Sequence, residues 1–182
     1  MKLKLFILVL VLQCAWIGYT VTTQEYALAT GQVILLETRP VDPRDLLRGD
    51  YLILNYKISD VPTNLFSPPV KKDLPYGTKI YVALAPGTNG FYVVTRASTN
   101  ALAPSSGAEV VMRGESAYAW WNTTNAIHVA YGVERYYVAE NTGNPRGKLT
   151  AQVVVPASSH PKIKQVFVDG KPYAAVMKDE VP

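Results

Sequence analysis

Paired carboxylates, two histidines and a tryptophan doublet are the residues of this chain whose types could support chemistry or recognition. Asp50 with Glu134 or Glu140 would make a glycosidase-type pair if folding set their carboxyl groups roughly 5 to 9.5 Å apart. His128 and His160 fall on separate expected elements, with no carboxylate at metal-ligand spacing, so neither a metal site nor a cofactor is expected. The one cysteine, Cys14, lies inside an apolar run, which excludes an intramolecular disulfide and a cysteine zinc site. In Trp120-Trp121-Asn122 adjacent strand positions face opposite sides. An exposed Trp121 would stack on a sugar or pack against a partner protein. Glycine-rich phosphate loops and dinucleotide fingerprints are absent.

Charge narrows the field further. The chain carries 18 Lys and Arg against 14 Asp and Glu, a net +4, and two of these cations, Lys2 and Lys4, precede the apolar run. The others are scattered without a dense basic block, so nucleic acid is not an expected partner. A composition of 48% hydrophobic and 18% charged residues belongs to a folded chain. Twelve Tyr against four Phe, with abundant Val and Ile, favours pleated sheet over helix.

These residues must be positioned by two units, an anchor over residues 1–30 and an exported domain over 31–182. Residues 3–21 (LKLFILVLVLQCAWIGYTV) form a helix long enough to cross most of a roughly 30 Å hydrocarbon core. Lys2 and Lys4 bias its start to the cytoplasmic side, which puts the remainder outside the inner membrane, in a periplasm. Three readings of the segment compete with an uncleaved anchor. Gly18-Tyr19-Thr20 is a poor cleavage site for a signal peptide, Cys14 lacks the small preceding residue of a lipoprotein, and a buried soluble helix is the third. Trp16 and Tyr19 fit a membrane interface. Residues 24–29 continue in helical character, and Gly31 supplies a stop.

After Gly31 the pattern turns to strands. Strands are expected at 32–37, 51–58, 79–85, 91–97, 109–113, 117–121, 127–131, 134–138, 150–155 and 163–169, with 173–176 pairing back across Asp169-Gly170. Residues 79–85 and 91–97 flank Pro86-Gly87-Thr88-Asn89-Gly90 and read as a hairpin, whereas the Pro-rich stretch 59–78 reads as a long loop. The fold class is therefore mainly β: one antiparallel sandwich or partly open barrel behind a single hydrophobic helix.

Residues 40–56 (PVDPRDLLRGDYLILNY) resemble the signature of the GDYXXLXY family, whose name is matched by Gly49, Asp50, Tyr51, Leu54 and Tyr56. Residues 131–140 (YGVERYYVAE) resemble its downstream block, departing at Ala139 and Asn141 where Pro and Gly are usual. The resemblance covers the whole order of elements. It implies a membrane-anchored bacterial protein associated with a polytopic membrane protein, and implies no particular reaction. The Leu46-Leu47-Arg48-Gly49-Asp50 stretch also echoes the Gly-Asp strand of signal-peptidase-like serine proteases. Val41 or Pro40 stands where their serine nucleophile would be, so Ser–Lys catalysis is not assignable.

Within the signature, Arg48-Gly49-Asp50 forms a turn, and alternation puts Leu52, Leu54 and Tyr56 in the core with Tyr51 on the opposite face. Candidate binding residues are Arg48, Gly49, Asp50, Tyr51, Tyr56, Trp121, Glu134 and Arg135, with no catalytic and no metal-ligating residue among them. The expected role is an accessory or binding domain acting beside an integral membrane partner, with the small-molecule ligand, if any, open. The alternative is a cell-envelope hydrolase or glycan-binding domain using Asp50, Glu134 and Trp121. Chain length from the helix suggests that the signature lies close to the bilayer.

Overall fold

The computed structural model describes residues 2–39, 51–70, 74–118, 125–138 and 147–180. Arg48, Gly49, Asp50, Trp120, Trp121, Asn122 and Glu140 lie outside the described residues.

Helix α1 spans Lys2–Thr30; its most apolar stretch is not buried against the domain, and Ala27 and Leu28 near its end are half-buried. Its hydroxyls bond backward to the helix itself. Thr20 donates to the Ile17 carbonyl (2.8 Å), Thr22 to that of Gly18 (2.8 Å) and Thr23 to that of Thr20 (2.9 Å), so these three hydroxyls are satisfied within the helix. The helix ends as expected at Gly31, whose N–H donates to the Ala27 carbonyl at 3.1 Å. Nothing larger fits there. A Cβ on Gly31 would come within 2.4 Å of the Val154 side chain and 2.9 Å of that carbonyl.

Strand β1 (Gln32–Arg39) starts directly after Gly31 and sits inside the first sheet. That sheet also holds β3 (Asn55–Tyr56), β10 (Leu149–Val155), β11 (Lys162–Val168) and β12 (Lys171–Pro172), in the order β12-β11-β10-β1-β3. The second sheet runs β4-β8-β7-β5-β6, from β4 (Asp60–Pro62), β5 (Lys79–Pro86), β6 (Tyr92–Ser98), β7 (Val110–Ser116) and β8 (Ala126–Ala130). A two-stranded ribbon pairs β2 (Tyr51–Ile53) with β9 (Arg135–Tyr137). Among the described residues every strand pairing is antiparallel and no sheet closes into a barrel.

Alternation decides which side chains meet between the sheets. Ile34, Leu36 and Thr38 of β1 are buried, while Glu37 and Arg39 point away. Ile34, Leu36, Ala151, Val153 and Val166 of the first sheet share one core with Ile80, Val82, Leu84, Met112 and Val129 of the second. Leu52, Leu54 and Tyr56 join that core, each at most 3% exposed, as the signature's alternation predicts.

The expected hairpin forms as β5 and β6, closed by the Gly87 N–H on the Phe91 carbonyl (2.8 Å) with Gly90 at φ +81°. Four expectations are corrected. Residues 51–58 are not one strand: β2 and β3 belong to different sheets, and between them the Leu54 N–H donates to the Glu134 carbonyl at 2.7 Å. The Pro-rich stretch is no bare loop. It contains β4, an edge strand where Pro62 displaces no needed donor, and a 3-10 turn at Thr63–Leu65. Residues 173–176 do not extend a strand. The ladder stops at Pro172, and α2 (Tyr173–Glu180) begins at Tyr173. Finally, β7 ends at Ser116, so Ala117 and Tyr118 are not strand residues.

The register sets the end of the signature, Asn55 and Tyr56, along β1 from α1. Tyr56 pairs with Thr38 and Asn55 with Arg39, at the end of β1 remote from α1. Six or seven extended residues separate them from the helix, about 20 Å of strand.

Candidate functional site

The signature strands carry two different kinds of tyrosine. Tyr56 is fully buried, and its hydroxyl donates to the Val133 carbonyl at 2.8 Å. Burial, assisted by the Glu134 charge, pushes its pKa far above the usual phenol range. Tyr131 is held the same way, donating to the Ile58 carbonyl at 2.9 Å. Its pKa is raised by burial first and then by the charges of Glu134 and Asp60. Both phenols stay neutral and tie the loop before β9 to the turn after β3. Neither is placed to exchange a proton with solvent.

Glu134 completes this lattice. Its carboxylate accepts the N–H groups of Tyr131 (2.5 Å) and Gly132 (2.9 Å), and Gly132 takes φ +81° in the tight loop they define. A carboxylate with both oxygens on the amides of its own loop is a loop clamp.

Tyr51 faces the other way. In the ribbon register it opposes Tyr137, and Ile53 opposes Arg135, so these four side chains share one face. The Arg135 guanidinium lies 5.5 Å from the Tyr51 ring centre, and the Tyr51 and Tyr137 rings are 6.2 Å apart. Tyr137 is 74% exposed. Among the candidate residues, then, Tyr51 and Arg135 come together on a surface, while Tyr56 and Glu134 are structural. Arg48, Gly49, Asp50 and Trp121 lie outside the described residues.

Three further constellations were not anticipated. Asp60 lies between Arg39, ion-paired to Oδ2, and His128, whose Nδ1 is 2.8 Å from Oδ1. His128 thus occupies the strand position expected of it, opposite Asp60 in the β4–β8 register. Glu109 is clasped by Arg96 (Nη2 to Oε2, 2.8 Å; Nε to Oε1, 3.2 Å), by the Thr95 hydroxyl (3.0 Å) and by the Ser105 N–H (2.5 Å). The Arg96 guanidinium first, and the Ser105 amide next, lower its pKa to about 2.

The third is a cavity of about 350 Å3 beside β7, lined by Tyr76, Arg113, Glu115, Ser116, Glu134 and His160 among others. Arg113 Nη1 lies 3.0 Å from His160 Nε2, with the guanidinium, which can only donate, as the donor. The Arg113 backbone N–H donates to the Ser159 carbonyl at 2.8 Å, so the β10–β11 turn forms one wall. At the rim, Tyr76 and Tyr118 stack with centroids 5.4 Å apart and planes 14° from parallel, 70% and 81% exposed. The sequence placed Arg113 at the end of an expected strand over 109–113, but not its pairing with a residue 47 positions away.

No curated protein and no solved structure matches the chain. A family model described as the GDYXXLXY protein matches residues 13–176. That match takes in the second half of the apolar helix, both signature blocks and the twelve strands of the described residues, and the chain belongs to the GDYXXLXY family.

Proposed function

We propose that the protein is a single-pass, membrane-anchored accessory domain, held outside the inner (cytoplasmic) membrane and acting with an integral membrane partner without catalysis. The observation that carries this is α1: a candidate span over Leu3–Thr30 with mean hydropathy 2.0, unburied by the domain and joined to β1 through one residue. Lys2 and Lys4 support a cytoplasmic N-terminus. The Tyr51–Ile53–Arg135–Tyr137 face supports a protein contact, since tyrosine and arginine are enriched at binding hot spots.

A photo-crosslinking residue at Tyr137, in intact membranes, is expected to capture an integral membrane protein. The same residue at Val93, 46% exposed on the other sheet, should not. Equal capture from both positions, or extraction of the chain by alkaline carbonate, would count against the proposal. The hydrolase alternative loses support from Glu134, whose two oxygens are committed to backbone amides.

A further inference from the structure

The cavity beside β7 sits at a definite height relative to α1. If a hydrocarbon core of about 30 Å is entered at Leu5, a helix rising about 1.5 Å per residue leaves it near Gln24. Gln24 is the residue that hydrogen-bonds Lys162, at the start of β11. The turn between β10 and β11 therefore lies beside the last turns of the helix, at the level of lipid headgroups. Ser159 and His160 belong to that turn and hold Arg113 through its backbone and its guanidinium respectively.

Two charges in the cavity lack an ionic partner among the described residues. Arg113 spends a guanidinium donor on His160 and has others left, in the planar fork that suits a phosphate. Glu115, two residues along β7 and on the same outward face, forms no ion pair among the described residues. Glu134, the other carboxylate of the lining, is used by the Tyr131 and Gly132 amides. One cation and one anion, side by side on a strand, match a ligand carrying phosphate and ammonium a few ångströms apart. The stacked rings of Tyr76 and Tyr118 at the rim add the amphipathic surface that favours the interfacial zone.

We infer that this cavity binds the zwitterionic headgroup of a membrane phospholipid, with Arg113 on the phosphate, Glu115 on the ammonium and the Tyr76–Tyr118 stack against the glycerol. The inference rests on the membrane reading of α1. A soluble phosphoethanolamine would offer the same two charges, so the source has to be separated by experiment.

The full chain in maltoside micelles would be titrated calorimetrically with dihexanoyl phosphatidylethanolamine, dihexanoyl phosphatidylglycerol and free phosphoethanolamine. The ethanolamine lipid is expected to bind most tightly. Arg113→Gln should weaken it about ten-fold, the scale of one charge-assisted pair. Glu115→Gln should remove the preference over the glycerol lipid while leaving phosphate affinity. Unchanged binding in Arg113→Gln, or no preference between the two lipids, would overturn the assignment. Free phosphoethanolamine binding as tightly as its lipid would overturn the lipid source. Circular dichroism melts establish that each variant folds, and His160→Ala, at an exposed position, gives a second route to weakening Arg113. Because short-chain lipid is delivered to the micelle directly, these outcomes stand apart from carbonate extraction, which tests the anchor alone.

Discussion

The Glu109 clasp and the Arg113 cavity sit at opposite ends of the same strand region and treat charge in opposite ways. At Glu109 both carboxylate oxygens are taken, by a guanidinium, a hydroxyl and an amide, and the group is 7% exposed. Around Arg113 the guanidinium meets one imidazole, and neighbouring Glu115 meets no cation among the described residues. A charge whose hydrogen-bond capacity is filled within the chain holds the chain together. One whose capacity is left over, at a cavity open to solvent, is available for recognition.

The sharpest break of this contrast is Glu109→Ala. It leaves the Ser105 amide without its acceptor and Arg96 with only the Ala103 carbonyl, and should cost about 2 to 3 kcal/mol, read by urea unfolding. The same clasp makes an acid prediction. The folded pKa of Glu109, about 2, lies below its unfolded value, so its contribution is complete above the unfolded carboxylate range and is lost as pH falls toward 2. Glu37, hydrogen-bonded by Lys148 and then Lys57, is shifted in the same direction. Stability measured from pH 6 down to 2 should fall, and fall less steeply in Glu109→Gln.

Smaller effects follow from the buried phenols. Tyr56→Phe and Tyr131→Phe each remove one buried hydrogen bond and should cost about 1 kcal/mol, or roughly 2 to 4 °C in melting temperature for a domain of this size. The smallest change in stability belongs to the open region. Arg113→Gln should shift unfolding by less than about 0.5 kcal/mol, as surface substitutions usually do. A loss near that of Glu109→Ala would erase the distinction between the two regions.

What the sequence disclosed follows the range of the forces involved. The helix, the Gly31 stop, the β5–β6 hairpin and the inward set Leu52, Leu54 and Tyr56 depend on local period and turn chemistry, and all are present. Errors arose where one residue's backbone rule outweighed a pattern. Pro172 ended a ladder and let α2 start, and Pro62 sat on an edge strand inside what looked like a loop. The break at Leu54 came from a long-range bond to the Glu134 carbonyl, which no local pattern encodes. The candidate site was legible in part for the same reason. Tyr51 and Arg135 are cross-strand neighbours in two recognised blocks, but Glu134 turned inward to amides two and three residues before it. The Arg113 cavity draws on β7, the turn at Pro75 and the β10–β11 turn, joined by contacts spanning 41 and 47 residues.

The junction at Gly31 has a mechanical consequence. Only one residue separates the last turn of α1 from β1, a strand flanked on both sides within its sheet, and Gly31 is wedged against Val154. With no slack between them, a roll or tilt of the helix is passed to the sheet as rotation of the whole domain. Helix and sheet turn as one piece, so the direction of α1 sets the direction in which the Tyr51–Tyr137 face points.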